Sequence, residues 1–186
     1  MKTFPFSFWL TPAQPYLDNL TGLIQALCQE WGAVPFEPHV TLFVGEHVQE
    51  EDMFSVGEQL VQGRTAVSLP VHDIGYSDFI FKTLYIQFGM EPWLHDMVQT
   101  IRASLFYPGD YQLDPHLSLI YKAMETAVLQ NLSKTIQLQS NTIPFDQIKL
   151  VIPQTGNWAD IDAWQIVSSW RLTPSIDSVR AQVNIR

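Results

Sequence analysis

The sequence contains one short pattern twice, as Glu37-Pro38-His39-Val40-Thr41-Leu42-Phe43 and again as Asp114-Pro115-His116-Leu117-Ser118-Leu119-Ile120. Both copies read acid, proline, histidine, aliphatic residue, hydroxyl residue, leucine and large apolar residue. A proline followed by dense apolar and β-branched residues is typical of a β-strand that begins just after the proline. Each copy therefore predicts a strand with a histidine at its start.

The two predicted strands carry their histidine and hydroxyl side chains on one face and their aliphatic core residues on the other. Side chains at i and i+2 share a face of a strand. His39 and Thr41 therefore point the same way, as do His116 and Ser118, while the aliphatic residues between them face the core. Two such strands side by side would surround one cavity with two imidazoles and two hydroxyls.

This set of groups suits phosphate-ester chemistry. One imidazole can accept a proton from an attacking water while the other donates a proton to the leaving oxygen, since the ordinary histidine pKa of about 6.5 suits both tasks. The hydroxyls can hydrogen-bond the phosphoryl oxygens and hold the phosphorus in line. A single copy would more often mark a structural histidine, so the prediction depends on the repetition. The mechanism requires no metal and no cofactor.

The paired motifs resemble the twin His-x-Thr/Ser-x motifs of the two-histidine (2H) phosphoesterase superfamily, and the chain is most similar to its cyclic phosphodiesterase-like family. The resemblance extends to residues 6–10, to Tyr121 after the second motif and to residues 162–167, and it covers about residues 4–172. It implies an α+β fold that is bilobal and pseudo-symmetric, with two antiparallel sheets lining a central cleft and helices outside.

The periodicity along the chain agrees with such a fold. It predicts strands at 4–10, 39–44, 65–73, 78–89, 116–121, 143–152 and 163–172, and helices at 13–31, 51–62, 91–106 and 124–137. We expect residues 1–172 to form a single bilobal domain. Residues 173–186 form a C-terminal tail outside the resemblance.

Composition limits the class of ligand. The net charge is −9, and only 16% of the residues are charged. Affinity for nucleic-acid backbones comes from lysine and arginine, so a small cyclic nucleotide is expected as the ligand and long nucleic acid is not. The single cysteine, Cys28, cannot form an internal disulfide, and no stretch suits a membrane span, so a cytoplasmic location is expected. No feature of the sequence defines an oligomeric state.

The predicted function is metal-independent hydrolysis of a strained ribose cyclic phosphate, such as a nucleoside 2′,3′-cyclic phosphate. The resemblance adds ADP-ribose 1″,2″-cyclic phosphate as a second substrate. His39 and His116 form the acid-base pair, and Thr41 and Ser118 hold the phosphate. We lean toward His116 as the base and His39 as the acid, although nothing in the sequence separates them.

Four aromatic residues are candidates for substrate binding. Phe81 and Tyr85 share a face of the predicted strand 78–89 with Phe79, and aromatic rings there can stack on a base. Trp158 lies in a loop long enough to reach over a site. Tyr121 matches the resembled family, but it lies five residues after His116, on the opposite face of a regular strand, so its role requires a bend. For Trp9, packing in the core is the favoured interpretation.

Three other interpretations stay open at this stage. The chain could be a non-catalytic module that senses nucleotides, or a phosphoesterase of the RNA-end-processing branches, which its acidic balance disfavours. The third is a metal site formed by the two motif histidines with Glu37 and Asp114, which share their strand face.

Overall fold

The computed structural model describes residues 3–47, 50–105 and 111–174, and these contain seven strands and four α-helices. In chain order they are β1 (Phe4–Pro12), α1 (Tyr16–Trp31), β2 (Val40–His47), α2 (Glu50–Val61), β3 (Val67–Tyr76), β4 (Leu84–Phe88), α3 (Pro92–Ser104), β5 (His116–Ile120), α4 (Thr126–Thr135), β6 (Thr142–Pro153) and β7 (Trp164–Arg171). Short 3-10 helices precede β4 and β7. Most of the expected C-terminal tail, residues 175–186, lies outside the described residues.

The strands pair in the order β1-β2-β5-β4-β3-β6-β7, and β6 also pairs with β1. All of these pairings are antiparallel. β6 reaches both halves of the molecule because its first residues pair with β3 and its later residues pair with β1 and β7. The two motif strands, β2 and β5, are joined through one residue pair, Val40 with Leu117. The two predicted sheets are thus linked into one, and the predicted α+β class is confirmed.

Alternation along the strands separates the core from a polar face, as the motif spacing predicts. Val40 and Leu42 of β2 and Leu117 and Leu119 of β5 are fully buried in the hydrophobic core. Burial of each such side chain contributes about 1.5–3 kcal/mol relative to an exposed one. The motif hydroxyls and histidines therefore lie on the opposite face of the same strands.

The four helices cover the apolar face in pairs. α1 packs on β1 and β5 and α4 on β3, whereas α2 and α3 contact each other and cover β2, β6 and β7. α1 shows the principle, because Leu20, Ile24 and Leu27 recur at helical spacing and are buried. The helix ends at Gly32, whose φ of 64° is the left-handed cap conformation that glycine adopts without strain. Among the described residues, no helix combines the length and the apolar character that a bilayer span requires.

The predicted continuous strand 78–89 is wrong. Residues Ile80–Lys82 form a 3-10 turn, and β4 begins only at Leu84. The cause is local hydrogen bonding by hydroxyl side chains, which competes with the strand. Ser77 Oγ donates to the Lys82 carbonyl at 2.6 Å and Thr83 Oγ1 donates to the Ile80 carbonyl at 3.0 Å. Phe81 and Tyr85 consequently do not share a strand face.

Candidate active site

One cleft brings together both motif histidines and both motif hydroxyls. It has a volume of about 410 Å³, and His39, Thr41, His116 and Ser118 all line it. The repeated pattern produces this arrangement because β2 and β5 are neighbours in the sheet and present the same face. The two histidines, which can both carry a proton, therefore line the same cleft.

His39 lies immediately before β2 and is almost completely buried, with 4% of its surface exposed. Its Nδ1–H donates to the carbonyl oxygen of Glu37 at 2.7 Å, since a carbonyl can only accept. Its ring stacks on the Trp9 indole, with centroids 3.6 Å apart and planes within 5°. Phe36 and Trp164 approach the imidazole edge-on at 6.2 and 6.3 Å. Imidazolium is poorly solvated in such surroundings.

The proton affinity of His39 follows from this environment. Burial lowers the pKa of His39 to about 3, and the nearby charges of His116 and Lys149 add to the effect. The hydrogen bond to the Glu37 carbonyl opposes the shift. His39 is therefore neutral near pH 7, with a proton on Nδ1 and a lone pair on Nε2.

His116 begins β5 and repeats the same backbone contact in a more open setting. Its Nδ1–H donates to the Asp114 carbonyl at 2.7 Å, and the Tyr85 ring approaches edge-on at 5.6 Å. Burial lowers the pKa of His116, and the charge of Lys82 lowers it further. The carbonyls of Asp114 and Phe81 and the Asp114 carboxylate oppose both effects.

A lysine neutralises the acid of each motif. Lys149 of β6 donates to the Glu37 carboxylate, and Lys82 donates to the Asp114 carboxylate. Burial raises the pKa of the Asp114 carboxyl, but hydrogen bonds from Lys82 and Gln87 outweigh it and hold the pKa below its ordinary value. The described residues contain no cluster of three or more His, Cys, Asp or Glu side chains arranged to hold a metal.

The two motif hydroxyls differ in their hydrogen bonds. Ser118 Oγ donates to the Phe81 carbonyl at 2.9 Å and also interacts with the Tyr121 hydroxyl. Thr41 Oγ1 has no hydrogen-bond partner among the residues that the structure describes, although the Thr41 carbonyl accepts a 3.5 Å bond from Tyr111. The threonine hydroxyl is therefore available to a ligand, whereas the serine hydroxyl must give up its bond to the Phe81 carbonyl before it can donate to one.

Tyr121 reaches the cleft in spite of its position in the sequence. β5 ends at Ile120, so the strict alternation of faces stops one residue before the tyrosine. The Tyr121 ring stacks on Phe36 with centroids 4.0 Å apart, and burial raises the pKa of its hydroxyl. Tyr121 lines the cleft, and the pairing of β5 with β4 has a register shift where Leu84 pairs with Ile120 and Tyr85 with Ser118.

The other aromatic candidates divide into two groups. Phe81 and Trp158 line the cleft, and the exposed ring of Phe79 lies at its rim. Trp164 Nε1 donates to the Trp158 carbonyl at 3.0 Å, which anchors the loop between β6 and β7. Tyr85 is not among the described residues that line the cleft. It supports the cleft through its contacts with His116 and with Lys82, whose ammonium lies 4.2 Å from the Tyr85 ring centre.

Sequence reasoning missed several residues around the cleft. Trp9, for which core packing was favoured, is buried with 3% of its surface exposed, and its indole also lines the cleft against His39. A signal was present: Phe8 and Leu10 flank Trp9 and are core residues, so alternation puts the indole on the cleft face. Trp164, Lys82 and Lys149 gave no comparable signal, since their partners are far away in the chain.

Comparisons with known proteins agree with this architecture. A family model described as "Cyclic phosphodiesterase-like protein" matches residues 4–181. A curated cyclic phosphodiesterase from Arabidopsis thaliana is 21% identical over 178 residues, which cover 94% of this chain and 98% of the relative.

Two solved structures show the similarity of fold. Escherichia coli LigT complexed with 3′-AMP superimposes with a TM-score of 0.58 at 16% identity, over 92% of this chain and 99% of LigT. The protein TT0787 of Thermus thermophilus superimposes with a TM-score of 0.59 at 14% identity, over 92% of this chain and 99% of that protein. E. coli LigT has also been crystallised with ATP and with NADP+.

Proposed function

Because the chain belongs to the cyclic phosphodiesterase-like protein family of the 2H phosphoesterase superfamily, we propose that it hydrolyses small cyclic nucleotide phosphates without a metal. Nucleoside 2′,3′-cyclic phosphates and ADP-ribose 1″,2″-cyclic phosphate are the candidate substrates. The observation that carries the proposal is the shared cleft. There both motif histidines donate Nδ1–H to a backbone carbonyl, which leaves both Nε2 atoms for proton transfer.

The difference in burial supports His39 as the base and His116 as the acid in this proposal, which is the opposite of the assignment toward which we leaned from the sequence. His39 stays neutral, so its Nε2 lone pair can accept a proton from the attacking water. Burial lowers the pKa of His116 as well, but His116 is less buried than His39 and lies beside carbonyl and carboxylate oxygens that oppose the shift, so it is the better proton donor of the two. Water attacks phosphorus, the P–O bond to one ribose oxygen breaks, and His116 protonates that oxygen. The product is a phosphomonoester beside a free hydroxyl.

Thr41 and Ser118 hold the phosphoryl oxygens in this proposal. The Thr41 hydroxyl, which has no hydrogen-bond partner in the described part of the chain, can donate directly to a non-bridging oxygen, and Ser118 can do so after releasing the Phe81 carbonyl. Hydrogen-bond donors fixed before the substrate arrives stabilise the charge that develops on these oxygens. Tyr121 lies beside Ser118 and orients it, while Phe81 and Trp158 offer rings against which a base can stack.

The lysine–carboxylate pairs act as positioning groups. Each pair fixes the side chain of the residue whose backbone carbonyl holds the adjacent histidine ring. Such second contacts keep an imidazole in one tautomer and one orientation. Tyr85 contributes similarly behind His116.

Residues 1–172 act as the single catalytic domain in this proposal. We place the protein in the cytoplasm, because its only cysteine, Cys28, has no internal disulfide partner and a reducing compartment suits it. Its partner is a small nucleotide and not long nucleic acid, because the net charge of −9 opposes binding to extended polyanions.

A phosphorus NMR time course tests the proposal. The purified protein, in a strong chelator, receives a nucleoside 2′,3′-cyclic monophosphate and separately ADP-ribose 1″,2″-cyclic phosphate. We expect the cyclic phosphate signal to be replaced by that of a monoester with the wild type, and to persist with His39→Ala and with His116→Ala. The chemical shift of the product also identifies which hydroxyl keeps the phosphate.

The alternatives make different predictions in the same experiment. Binding of both compounds without any turnover by the wild type would indicate a nucleotide sensor and would refute the hydrolase. Turnover only of cyclic-phosphate-terminated oligonucleotides would indicate RNA-end processing. Loss of turnover in the chelator would require a metal in the mechanism.

A further inference from the structure

Trp9 is held on the cleft face by an irregularity in the pairing of β1 with β2. Phe8 pairs with Phe43. The next residue of β1, Trp9, pairs with Thr41, which leaves Leu42 of β2 without an opposite residue. This is a β-bulge, a feature that redirects side chains and is common beside active sites. Directly opposed residues share a face of a sheet, so Trp9 and Thr41 both line the cleft.

The same register brings the indole over the His39 ring. His39 lies two residues before Thr41, so it is the diagonal neighbour of Trp9, at a distance that aromatic side chains can span. The two rings stack with centroids 3.6 Å apart and planes within 5°. Trp164 packs edge-on against the indole with centroids 5.5 Å apart and limits its movement. Trp9 and His39 are only 3% and 4% exposed, so the stacked pair is enclosed.

Two contacts restrict different motions of the His39 ring. The hydrogen bond from Nδ1–H to the Glu37 carbonyl fixes the direction of the ring within its own plane. By itself this bond would let the ring tilt about the line that joins the two atoms. The indole face of Trp9 removes that tilt, because it lies parallel to the imidazole. Together the two contacts determine where the Nε2 lone pair points.

The ring contact of His116 is of a different kind. Tyr85 approaches it with centroids 5.6 Å apart and planes at 69°, an edge-on arrangement that does not define the imidazole plane as a parallel stack does. His116 is also half-buried, whereas His39 is buried. The structure therefore defines the plane of His39 more closely than that of His116. A general base must meet its proton within hydrogen-bond reach and in the right direction, so this restriction suits the base.

We propose that Trp9 is a positioning residue of the reaction, whose indole face holds the plane of the His39 imidazole so that Nε2 is directed at the attacking water. The inference rests on the proposed function and deepens it. Trp9 acts through His39 in this assignment. The stack removes rotational freedom before the substrate arrives, so that this freedom need not be lost during the reaction.

Two substitutions separate the ring face from apolar bulk. Trp9→Leu keeps an apolar side chain without a ring face, and Trp9→Phe keeps a ring face. Because misplacement of a catalytic group by about 1 Å can lower the rate by about 10²-fold, we expect Trp9→Leu to lower kcat for a nucleoside 2′,3′-cyclic monophosphate by about 10–100-fold with little change in KM. Trp9→Phe should retain most of kcat. An unchanged kcat in Trp9→Leu, an equal loss in both variants, or a loss confined to KM would overturn the proposal.

Trp170→Leu is the matched control for loss of an indole. Trp170 packs against Phe8 and Phe54 with centroids 6.4 and 6.3 Å apart, and it is not among the described residues that line the cleft. Rates are compared at a temperature at which circular dichroism shows each variant folded. We expect Trp170→Leu to keep the kcat of the wild type. A loss of kcat equal to that of Trp9→Leu would make general destabilisation the cause and would overturn the positioning role.

Proton NMR tests the stack without any turnover. The ring current of an indole shifts the carbon-bound protons of an imidazole on its face upfield, and the His39 signals are identified by their loss in His39→Ala. We expect the upfield shift in the wild type and in Trp170→Leu, and its loss in Trp9→Leu. Absence of the shift in the wild type would refute the stack and with it the proposal.

Failure of the positioning role and failure of the proposed function are distinguishable. If the wild type shows the upfield shift but hydrolyses no cyclic phosphate, the proposed function fails and the positioning role fails with it. If the wild type hydrolyses the substrate and Trp9→Leu does so with the same kcat, the positioning role alone is refuted and the hydrolase stands.

Discussion

The two half-sites of the cleft are alike in backbone geometry and unlike in their surroundings. Each histidine donates Nδ1–H at 2.7 Å to the carbonyl of the acid two residues before it, and each of these acids is paired with a lysine. His39, however, is enclosed by aromatic rings, whereas His116 is only partly buried and has Lys82 and Asp114 nearby. A repeated motif thus fixes orientation, and the residues around it set proton affinity.

The largest effect expected from this comparison is the loss of either histidine. Removal of a general acid or base lowers the rate by about 10²–10⁴-fold, so His39→Ala and His116→Ala should both lose cyclic phosphate hydrolysis. The two differ on a phosphodiester with a 4-nitrophenolate leaving group, which needs no proton. There His116→Ala should recover activity and His39→Ala should not, as measured by release of nitrophenolate.

A control variant accompanies this test. His72→Ala, an exposed histidine of β3 away from the cleft, should leave both rates unchanged. Recovery by His39→Ala in place of His116→Ala would make His39 the acid and His116 the base.

Loss of the lysine should destabilise the protein by different amounts in the two lysine–carboxylate pairs. Lys149 and Glu37 are 12% and 28% exposed, so Lys149→Met leaves a half-buried carboxylate unpaired at a cost of about 3 kcal/mol in the free energy of unfolding. Asp114 is 56% exposed and remains hydrated in Lys82→Met, where we expect a loss below about 1 kcal/mol. Urea denaturation measures both values.

The double variant Lys149→Met/Glu37→Gln distinguishes the loss of the ion pair from the cost of leaving the Glu37 carboxylate buried without a partner. It should be more stable than Lys149→Met alone, because no charged group is then left unpaired. A greater loss of stability in Lys82→Met than in Lys149→Met would contradict the burial argument.

The pH dependence of stability should arise more from His39 than from His116. His39 binds a proton near pH 6.5 in the unfolded chain but only at about pH 3 in the folded chain. The free energy of unfolding therefore falls as the pH is lowered from about 6.5 towards 3. Between about pH 7 and pH 5 this amounts to about 2 kcal/mol. His39→Gln should lose this component in urea titrations at the two pH values. The same dependence in His39→Gln and in the wild type would contradict the assignment.

The last comparison concerns the support behind His116. A Cβ at position 75 would lie 2.6 Å from the Tyr85 ring, so Gly75→Ala must displace that ring from His116 and Lys82. We expect about 1–2 kcal/mol of destabilisation and a several-fold lower kcat. Gly22→Ala, an exposed helix position with open space around its Cβ, is the matched control and should not be destabilised. Equal effects of the two substitutions on kcat would exclude a supporting role for Tyr85.

Local patterns predicted the elements that carry the site. The alternation in residues 39–42 and 116–119 separates cleft from core as predicted, because strand periodicity depends only on neighbours in the chain. The 3-10 turn at Ile80–Lys82 escaped prediction because aromatic density favoured a strand while two hydroxyl side chains stabilised the turn.

The features that distinguish the two histidines depend on long-range contacts. Lys149 meets Glu37 from 112 positions away in the chain, and the stack of Trp9 on His39 requires the register between β1 and β2. Neither is encoded near the motif itself. The repeated motif therefore predicted that its two histidines and two hydroxyls line one cleft, and it could not predict that the two imidazoles differ in proton affinity.

The single pairing of Val40 with Leu117 gives the cleft a mechanical property. The two halves are fastened firmly elsewhere, through the long ladder between β1 and β6 and the continuation of β6 onto β3. At the motifs the described parts of β2 and β5 meet through one residue pair and not through an extended ladder. The distance between the two histidines is therefore weakly constrained, because the extended strand pairing that joins the halves lies away from the motifs. A bound phosphate, gripped from both sides, is the element that would stiffen it.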